Sequence, residues 1–287
     1  MNDQAEGLRR RLASMGKKQT AKTISFISGK GGVGKSNIAL NFSLSLLHKH
    51  KKVLLIDFDI GMGNIEILLG TSTNKSIVDM FETHLGWTDI IHHGPNNLDF
   101  ISGGFGLTKI FELDQEKREH FLTQFQRLME IYDFIIFDMG AGVTEDSMFF
   151  ILASDECIVI TTPEPTAVTD GYGIIKHVVN NEPSMPIYVV MNRIETRKAG
   201  IRALRRFQQV IQKFLKKEIA LIGNLPNDNW VQVAVTRQVP FVLLNKRAPI
   251  SKAVMEMVDN YLSCKRINNG KVSLSFIQKL RGFIGKR

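Results

Sequence analysis

The apolar positions of the chain fall into two alternating patterns. Thr23–Ser28, Val53–Asp57, Leu98–Ile101, Phe134–Asp138, Cys157–Thr161, Ile187–Met191 and Ile219–Gly223 are short runs rich in Ile, Val, Leu and Phe. A strand with one wet face alternates apolar and polar residues, whereas runs like these predict strands buried on both faces, as in a parallel sheet. Between most of them the apolar residues recur at helical spacing, in Ile38–Leu47, Glu116–Glu130, Thr169–Asn180 and Gly200–Lys217. The alternation predicts an α/β fold of three layers, a mainly parallel sheet with right-handed crossovers and helices on its faces. No linker interrupts residues 23–264, which read as one domain. Residues 1–22 read as a flexible polar arm and residues 265–287 as a separate tail.

Composition narrows the possible chemistry. Apolar residues make up 44% of the 287, enough for a sizeable core. Cys157 and Cys264 lie far apart and form no Cys-x-x-Cys pair, so a disulfide framework, zinc ribbon or iron–sulfur cluster has no support. A reducing cytoplasm fits that usage. No apolar run approaches the roughly 18 residues needed to span a bilayer, and no signal-peptide core follows the basic N-terminus. The net charge of +9 is concentrated at the ends. Residues 1–22 carry six Lys/Arg against two Asp/Glu, and residues 265–287 carry seven Lys/Arg and no acid. The body between them is close to neutral, so the ends are expected to meet an anionic surface or a partner, and DNA is not the expected ligand of the body.

Candidate chemistry begins where the first strand ends. Gly29-Lys30-Gly31-Gly32-Val33-Gly34-Lys35-Ser36 stands between a predicted strand and a predicted helix. Phosphate needs close backbone N–H groups, a helix N-terminus and a cation, and a glycine loop in this setting supplies all three. In a P-loop, Lys35 would reach the β- and γ-phosphates and Ser36 would ligate Mg²⁺. Asp57 and Asp59 end the second strand and, being two apart, share one of its faces. Open α/β sheets bind ligands at the carboxyl ends of their strands. Asp138 ends another apolar strand before Met139-Gly140-Ala141-Gly142 and resembles a Walker B aspartate followed by a switch loop. Phosphoryl transfer needs positioning and charge neutralisation, so no nucleophilic side chain is expected.

Lys30 goes beyond the general P-loop pattern. With it, the chain from the P-loop to near residue 262 resembles the MinD/ParA family of deviant Walker A ATPases. The resemblance implies hydrolysis of ATP to ADP with Mg²⁺. It implies that Lys30 crosses the interface of an ATP-sandwich homodimer to the partner's nucleotide, with Glu164, Thr166 and Asp170 at positions that hold this lysine in one state. It also implies that Asp57 and Asp138 order the Mg²⁺ shell with Ser36, while Asp59 orients the attacking water. Asn192 matches an adenine contact, and Asn192-Arg193-Ile194-Glu195 lacks the Lys and Asp of a guanine reader. Pro226 and Asp228 match a base-flanking loop, although a plain turn explains them nearly as well. Asp170 reads equally as a helix cap.

The two ends select a branch. At about 100° per residue, Val272, Phe276, Ile277, Leu280, Phe283 and Ile284 share one arc, with Lys279 and Lys286 facing away. Such a basic amphipathic helix suits the membrane interface, which predicts a peripheral location on the inner face of the cell membrane. A helix docked on its own domain is the alternative, and the two can alternate with nucleotide state. Two tails in a dimer would bind by avidity. At the other end, Asp3-Gln4-Ala5-x-x-Leu8-Arg9 resembles a motif of the flagellar MinD-like proteins, the FlhG (YlxH, FleN) group. That resemblance implies contact of Asp3, Gln4, Ala5, Leu8 and Arg9 with the SRP-type flagellar GTPase FlhF, stimulation of its GTP hydrolysis, control of flagellar number and placement, and binding to C-ring switch proteins. A basic helix carrying Arg197, Lys198, Arg202, Arg205, Arg206, Lys213, Lys216 and Lys217 over Ile201, Leu204, Ile211 and Leu215 is a solvated face or a docking surface for a flagellar protein or DNA. A ParA-like DNA-partitioning ATPase, a MinD-like division-site regulator and a metabolic ATPase remain competing readings of the same body.

Overall fold

A computed structural model describes residues 20–59, 64–83, 85–103, 115–142, 144–267 and 276–284. The N-terminal motif from Asp3 to Arg9 lies outside the described residues. The strands are β1 (Lys22–Ile27), β2 (Val53–Phe58), β3 (His92–His93), β4 (Asp99–Ile101), β5 (Phe134–Met139), β6 (Glu156–Thr161), β7 (Ile187–Ile194) and β8 (Ala220–Pro226). They form one sheet in the order β3-β4-β2-β5-β1-β6-β7-β8. Every pairing is parallel except the short β3–β4 edge.

The helices are α1 (Lys35–His48), α2 (Asn64–Leu69), α3 (Ile77–Glu82), α4 (Trp87–Ile90), α5 (Gln115–Ile131), α6 (Glu145–Ala153), α7 (Pro165–Asn181), α8 (Arg197–Leu215), α9 (Asn229–Arg237), α10 (Phe241–Leu244), α11 (Pro249–Ile267) and α12 (Phe276–Ile284). Residue alternation along each strand divides the core between the two faces of the sheet. In β2, Val53 and Leu55 pack with Phe42 of α1 and Tyr261 of α11, while Leu54 and Ile56 pack with Phe121 and Phe125 of α5. The central strands are apolar throughout because both faces are covered.

The expected helices are present and slightly displaced. α7 begins at Pro165, whose fixed φ suits the first helical position. α8 begins three residues before Gly200, because the Thr196 side chain accepts from Ala199 N at 3.2 Å. It ends before Lys216, which takes a left-handed φ of 54°. Leu204 and Ile211 of α8 are buried as expected, but Ile201 is 38% exposed and Phe207 takes its place in the core. β1 starts at Lys22, and α11 runs on to Ile267, past the expected boundary at 264.

α12 lies on the body of the protein, in the docked arrangement that the sequence left as an alternative. Phe276 and Leu280 are wholly buried, and Ile277 is half-buried against the same cluster. The Phe276 ring stacks on Phe137 at 5.3 Å and tilts against Phe125 at 4.9 Å. Lys279 Nζ donates to Ser154 O at 3.4 Å, and Arg281 pairs with Glu119 at 2.8 Å. The apolar arc expected to meet lipid is therefore turned onto α5, α6 and β5 at Phe276, Ile277 and Leu280. The side chains of Phe283 and Ile284 lie outside the description. No helix among the described residues is long and apolar enough to cross a membrane.

Candidate nucleotide site

The P-loop leaves β1, near the middle of the sheet, and turns into α1. The turn demands glycine at two places. Gly34, just ahead of α1, has φ +89°, and a Cβ there would also meet Asn192 Nδ2 at 2.6 Å. Gly29 has no room for a side chain, because a Cβ would stand 2.3 Å from the backbone carbonyl of Asp170. The loop is thus pressed onto α7 at one end and onto β7 at the other. Asn192, buried at the end of β7, donates to Val33 O at 2.8 Å and fixes the loop's second half.

Three carboxylates converge beside it. Lys35, almost fully buried, forms an ion pair with Asp138 Oδ1 and lies 3.4 Å from Ser36 Oγ. Asp138 is wholly buried, and its Oδ2 has no hydrogen-bond partner among the described residues. Asp57 faces Asp138 in the β2–β5 register. Its Oδ1 accepts from Asp59 N at 2.9 Å and its Oδ2 from Ile65 N at 3.1 Å. Burial, and then the charge of Asp138, push the Asp57 carboxyl up to about 7 despite those two bonds. Asp59 is half-buried, with Oδ2 accepting from Asn64 Nδ2 at 2.7 Å. Burial raises its carboxyl as well, opposed by the positive charge of Lys35.

This donor set fits Mg²⁺. The unpartnered Asp138 Oδ2, the Asp57 carboxylate and the Ser36 hydroxyl are hard oxygen donors. No cluster of three His, Cys, Asp or Glu that would cage a metal alone occurs among the described residues. Mg²⁺ bound through one or two carboxylates and substrate phosphates needs no such cage.

Lys30 sits at the open side of the loop, partly exposed. Its Nζ lies 3.1 Å from Glu164 Oε2 and 3.3 Å from Thr166 Oγ1, at the start of α7. Asp170 does not cap a helix; it stands inside α7, and its backbone abuts Gly29. Pro226 ends β8. Asp228 accepts from Trp230 N and from Ile250 N, each at 3.0 Å, so its carboxylate caps α9 and ties it to α11. Asn64, which holds Asp59, carries no recognisable motif; only its place at the start of the next helix gives it away.

The family described as AAA domain (AAA_31) matches residues 21–184, more than half of the chain. The chain belongs to that family. Within it, the chain is a P-loop ATPase of the MinD/ParA kind. It is 27% identical to antiactivator FleN of Pseudomonas aeruginosa, over 87% of this chain and 90% of that protein. It is 28% identical to flagellum site-determining protein YlxH of Helicobacter pylori, over 93% and 92%. Its fold matches the septum site-determining protein MinD of Pyrococcus horikoshii, solved with Mg-ADP, with a TM-score of 0.67 at 22% identity, over 88% of this chain and 100% of that one.

Proposed function

We propose that this chain is a Mg²⁺-ATP-dependent switch that sets the number or placement of flagella. Gly29–Ser36 holds the phosphates, Lys35 leaves Asp138 for them, and Ser36, Asp57 and Asp138 hold Mg²⁺. Bound there, the ion neutralises charge on the transferred phosphoryl group and its leaving group. Asp59 orients the attacking water, with Asn64 fixing its carboxylate. Asn192 and Pro226 flank the base, and Asp228 acts there through the cap it makes. Lys30 exchanges Glu164 for the nucleotide of a second copy, so the closed site belongs to a homodimer. Residues 1–22 act as the arm that stimulates the GTPase FlhF, 23–264 as the ATPase domain and 265–287 as the membrane-targeting segment. Protein bound at the membrane is peripheral, on its cytoplasmic face.

The observation that carries the membrane switch is the contact of Phe276 with Phe137. Phe137 precedes Asp138, and α6, which follows the loop after Asp138, forms part of the same groove. A shift of that loop on nucleotide binding therefore bears on the seat of α12. Its release would expose Phe276, Ile277 and Leu280, and would present the whole expected arc with Phe283 and Ile284 and its basic residues to anionic lipid. The relatives FleN and YlxH support the flagellar setting. On α8, Phe214 is 64% exposed with Lys213 Nζ 5.4 Å from its ring centroid, which supports a docking face for a C-ring switch protein.

The test is flotation with phosphatidylglycerol-containing vesicles, with and without ATP, alongside DNA retention under the same conditions. ATP-dependent flotation that is lost on deleting 271–287, without DNA retention, is the expected result. ATP-dependent DNA retention without flotation would instead favour a ParA-like partitioning role. Residues 1–20 as a peptide should stimulate GTP hydrolysis by FlhF, with Gln4→Ala inactive. An unchanged rate would remove that partner.

A further inference from the structure

Among the described residues, β8 ends the sheet and pairs only with β7. Its outer edge forms the floor of a cleft of about 550 Å³, where Leu221, Ile222, Gly223 and Asn224 line it in sequence. Ile201 and Leu204 of α8 wall one side, and Ala253 and Met257 of α11 the other. The two helices belong to opposite layers, so the cleft opens on the side of the molecule, directly over the strand edge.

A free edge presents unpaired N–H and C=O groups, and proteins blunt it with bulges, charges or a covering element. Here the blunting is partial. The β7–β8 register slips between Val189 and Val190, which leaves Ile222 as the extra residue. Asn260 Nδ2 donates to Ile222 O at 3.1 Å and Gln208 Nε2 to Ile219 O at 3.0 Å. Both covers are side-chain amides, which a backbone donor can displace. Asn224 Oδ1 is a buried acceptor with no donor among the described residues.

The cleft lining is weakly positive, with Arg197, Arg205 and Lys252 against Glu195 and Glu256. Glu256 pairs with Arg197 at 3.5 Å, and Glu195 accepts from the neutral Asn227 amide at 3.2 Å. Arg205 and Lys252 also line it, and neither has a carboxylate partner among the described residues. Lys198, Arg202 and Arg206 extend the positive field along α8. The chain's own ends are both basic, six Lys/Arg against two acids in residues 1–22 and seven against none in 265–287, so the same field disfavours them.

We propose that this cleft takes an extended acidic segment of another protein, which adds to the free edge of β8 as a ninth strand. Main-chain pairing to residues 221–224 would supply affinity, and carboxylates of the segment on Arg205 and Lys252 would supply direction and selectivity. The inference does not depend on the flagellar reading. It does connect to the nucleotide site, because β8 leads into Asn227 and Asp228.

The experiment is selection of a random dodecapeptide library on the intact protein, with counter-selection on Ala253→Trp, which fills the cleft. Thermal melting and basal ATP hydrolysis of that variant should match the parent. Expected are enriched peptides that alternate β-branched residues with Asp or Glu. Their binding should weaken at least about tenfold in Arg205→Glu/Lys252→Glu, an amount well beyond what rim charges on opposite faces give, and should fail when alternate peptide nitrogens are methylated. Hydrogen exchange should slow at 221–224 when such a peptide is present. No enrichment over the filled variant, enrichment of neutral or basic peptides, or indifference to N-methylation would each overturn the proposal. So would a single-stranded oligonucleotide that binds in the cleft more tightly than any peptide.

Discussion

Phe276 stacks on Phe137 with ring centroids 5.3 Å apart and planes inclined by 27°, which ties the last helix to the strand that carries Asp138. Phe125 lines the same groove, 4.9 Å from Phe276. Phe125→Ala should destabilise the protein by about 3–5 kcal/mol, as for other buried Phe-to-Ala changes. It should also raise vesicle binding in the absence of nucleotide, because the seat of α12 is weakened while its apolar face is intact. Glu119→Arg, which repels Arg281 at the surface, should shift vesicle binding the same way with little effect on melting. If nucleotide-free flotation stays at background in both variants, the docked helix is not what restrains membrane binding.

Lys35→Gln should abolish ATP hydrolysis and ATP-dependent dimerisation. It also strips the buried Asp138 of its cation, a loss that elsewhere costs about 3–5 kcal/mol. Melting of the nucleotide-free variant should therefore fall as well. Sedimentation with ATP, paired with a thermal scan, reads both effects; a dimer that still forms would refute the assignment of Lys35.

For Asp59→Ala the expectation is different in kind. Asp59 contacts Asn64 rather than the P-loop lysine, so nucleotide binding should survive while hydrolysis falls by orders of magnitude. Trapped with ATP, the variant should sediment as a dimer. A species that is monomeric with ATP, at saturating nucleotide, contradicts the role.

Asp57 gives a pH dependence with a definite sign. Its carboxyl is held at about 7 in the fold, against an ordinary 3.8, so the folded protein binds more protons than the unfolded chain between those values. The contribution of this group to stability is greatest below the ordinary value, declines as pH rises toward about 7 and levels off above it. Asp57→Asn removes the titration. Without nucleotide or Mg²⁺, the variant should gain stability relative to the parent as pH rises from about 4 to about 8. Urea midpoints that keep a constant difference across that range would show that Asp57 does not titrate there.

The sheet was legible because its central strands are buried on both faces, so their apolar runs needed no tertiary information. The P-loop was legible because phosphate chemistry restricts both residue type and spacing. The edge was not: His92–His93 is too short and polar to announce a strand, and it pairs only because β4 lies beside it. Asn64 was missed because its role comes from where α2 starts, not from a pattern. Asp228 was read as a base contact or a plain turn; its carboxylate caps α9 through Trp230 N and also reaches Ile250 N, on a helix that sequence spacing could not bring near. For α12 the arc is seen at Phe276, Ile277 and Leu280, which share one packed face, but an arc does not say whether its complement is lipid or protein.

Asp57 and Asp138 are register partners on adjacent parallel strands. Their separation is therefore fixed by the hydrogen-bonded spacing of about 4.8 Å between strands, a distance that backbone chemistry keeps constant whatever the side chains around it. The segments proposed to meet partners, residues 1–22, α8, the β8 edge and residues 265–287, lie apart from β2 and β5 and can be lengthened, recharged or replaced without moving these two carboxylates. A fold built this way can change its clients over evolutionary time while its hydrolytic centre stands still.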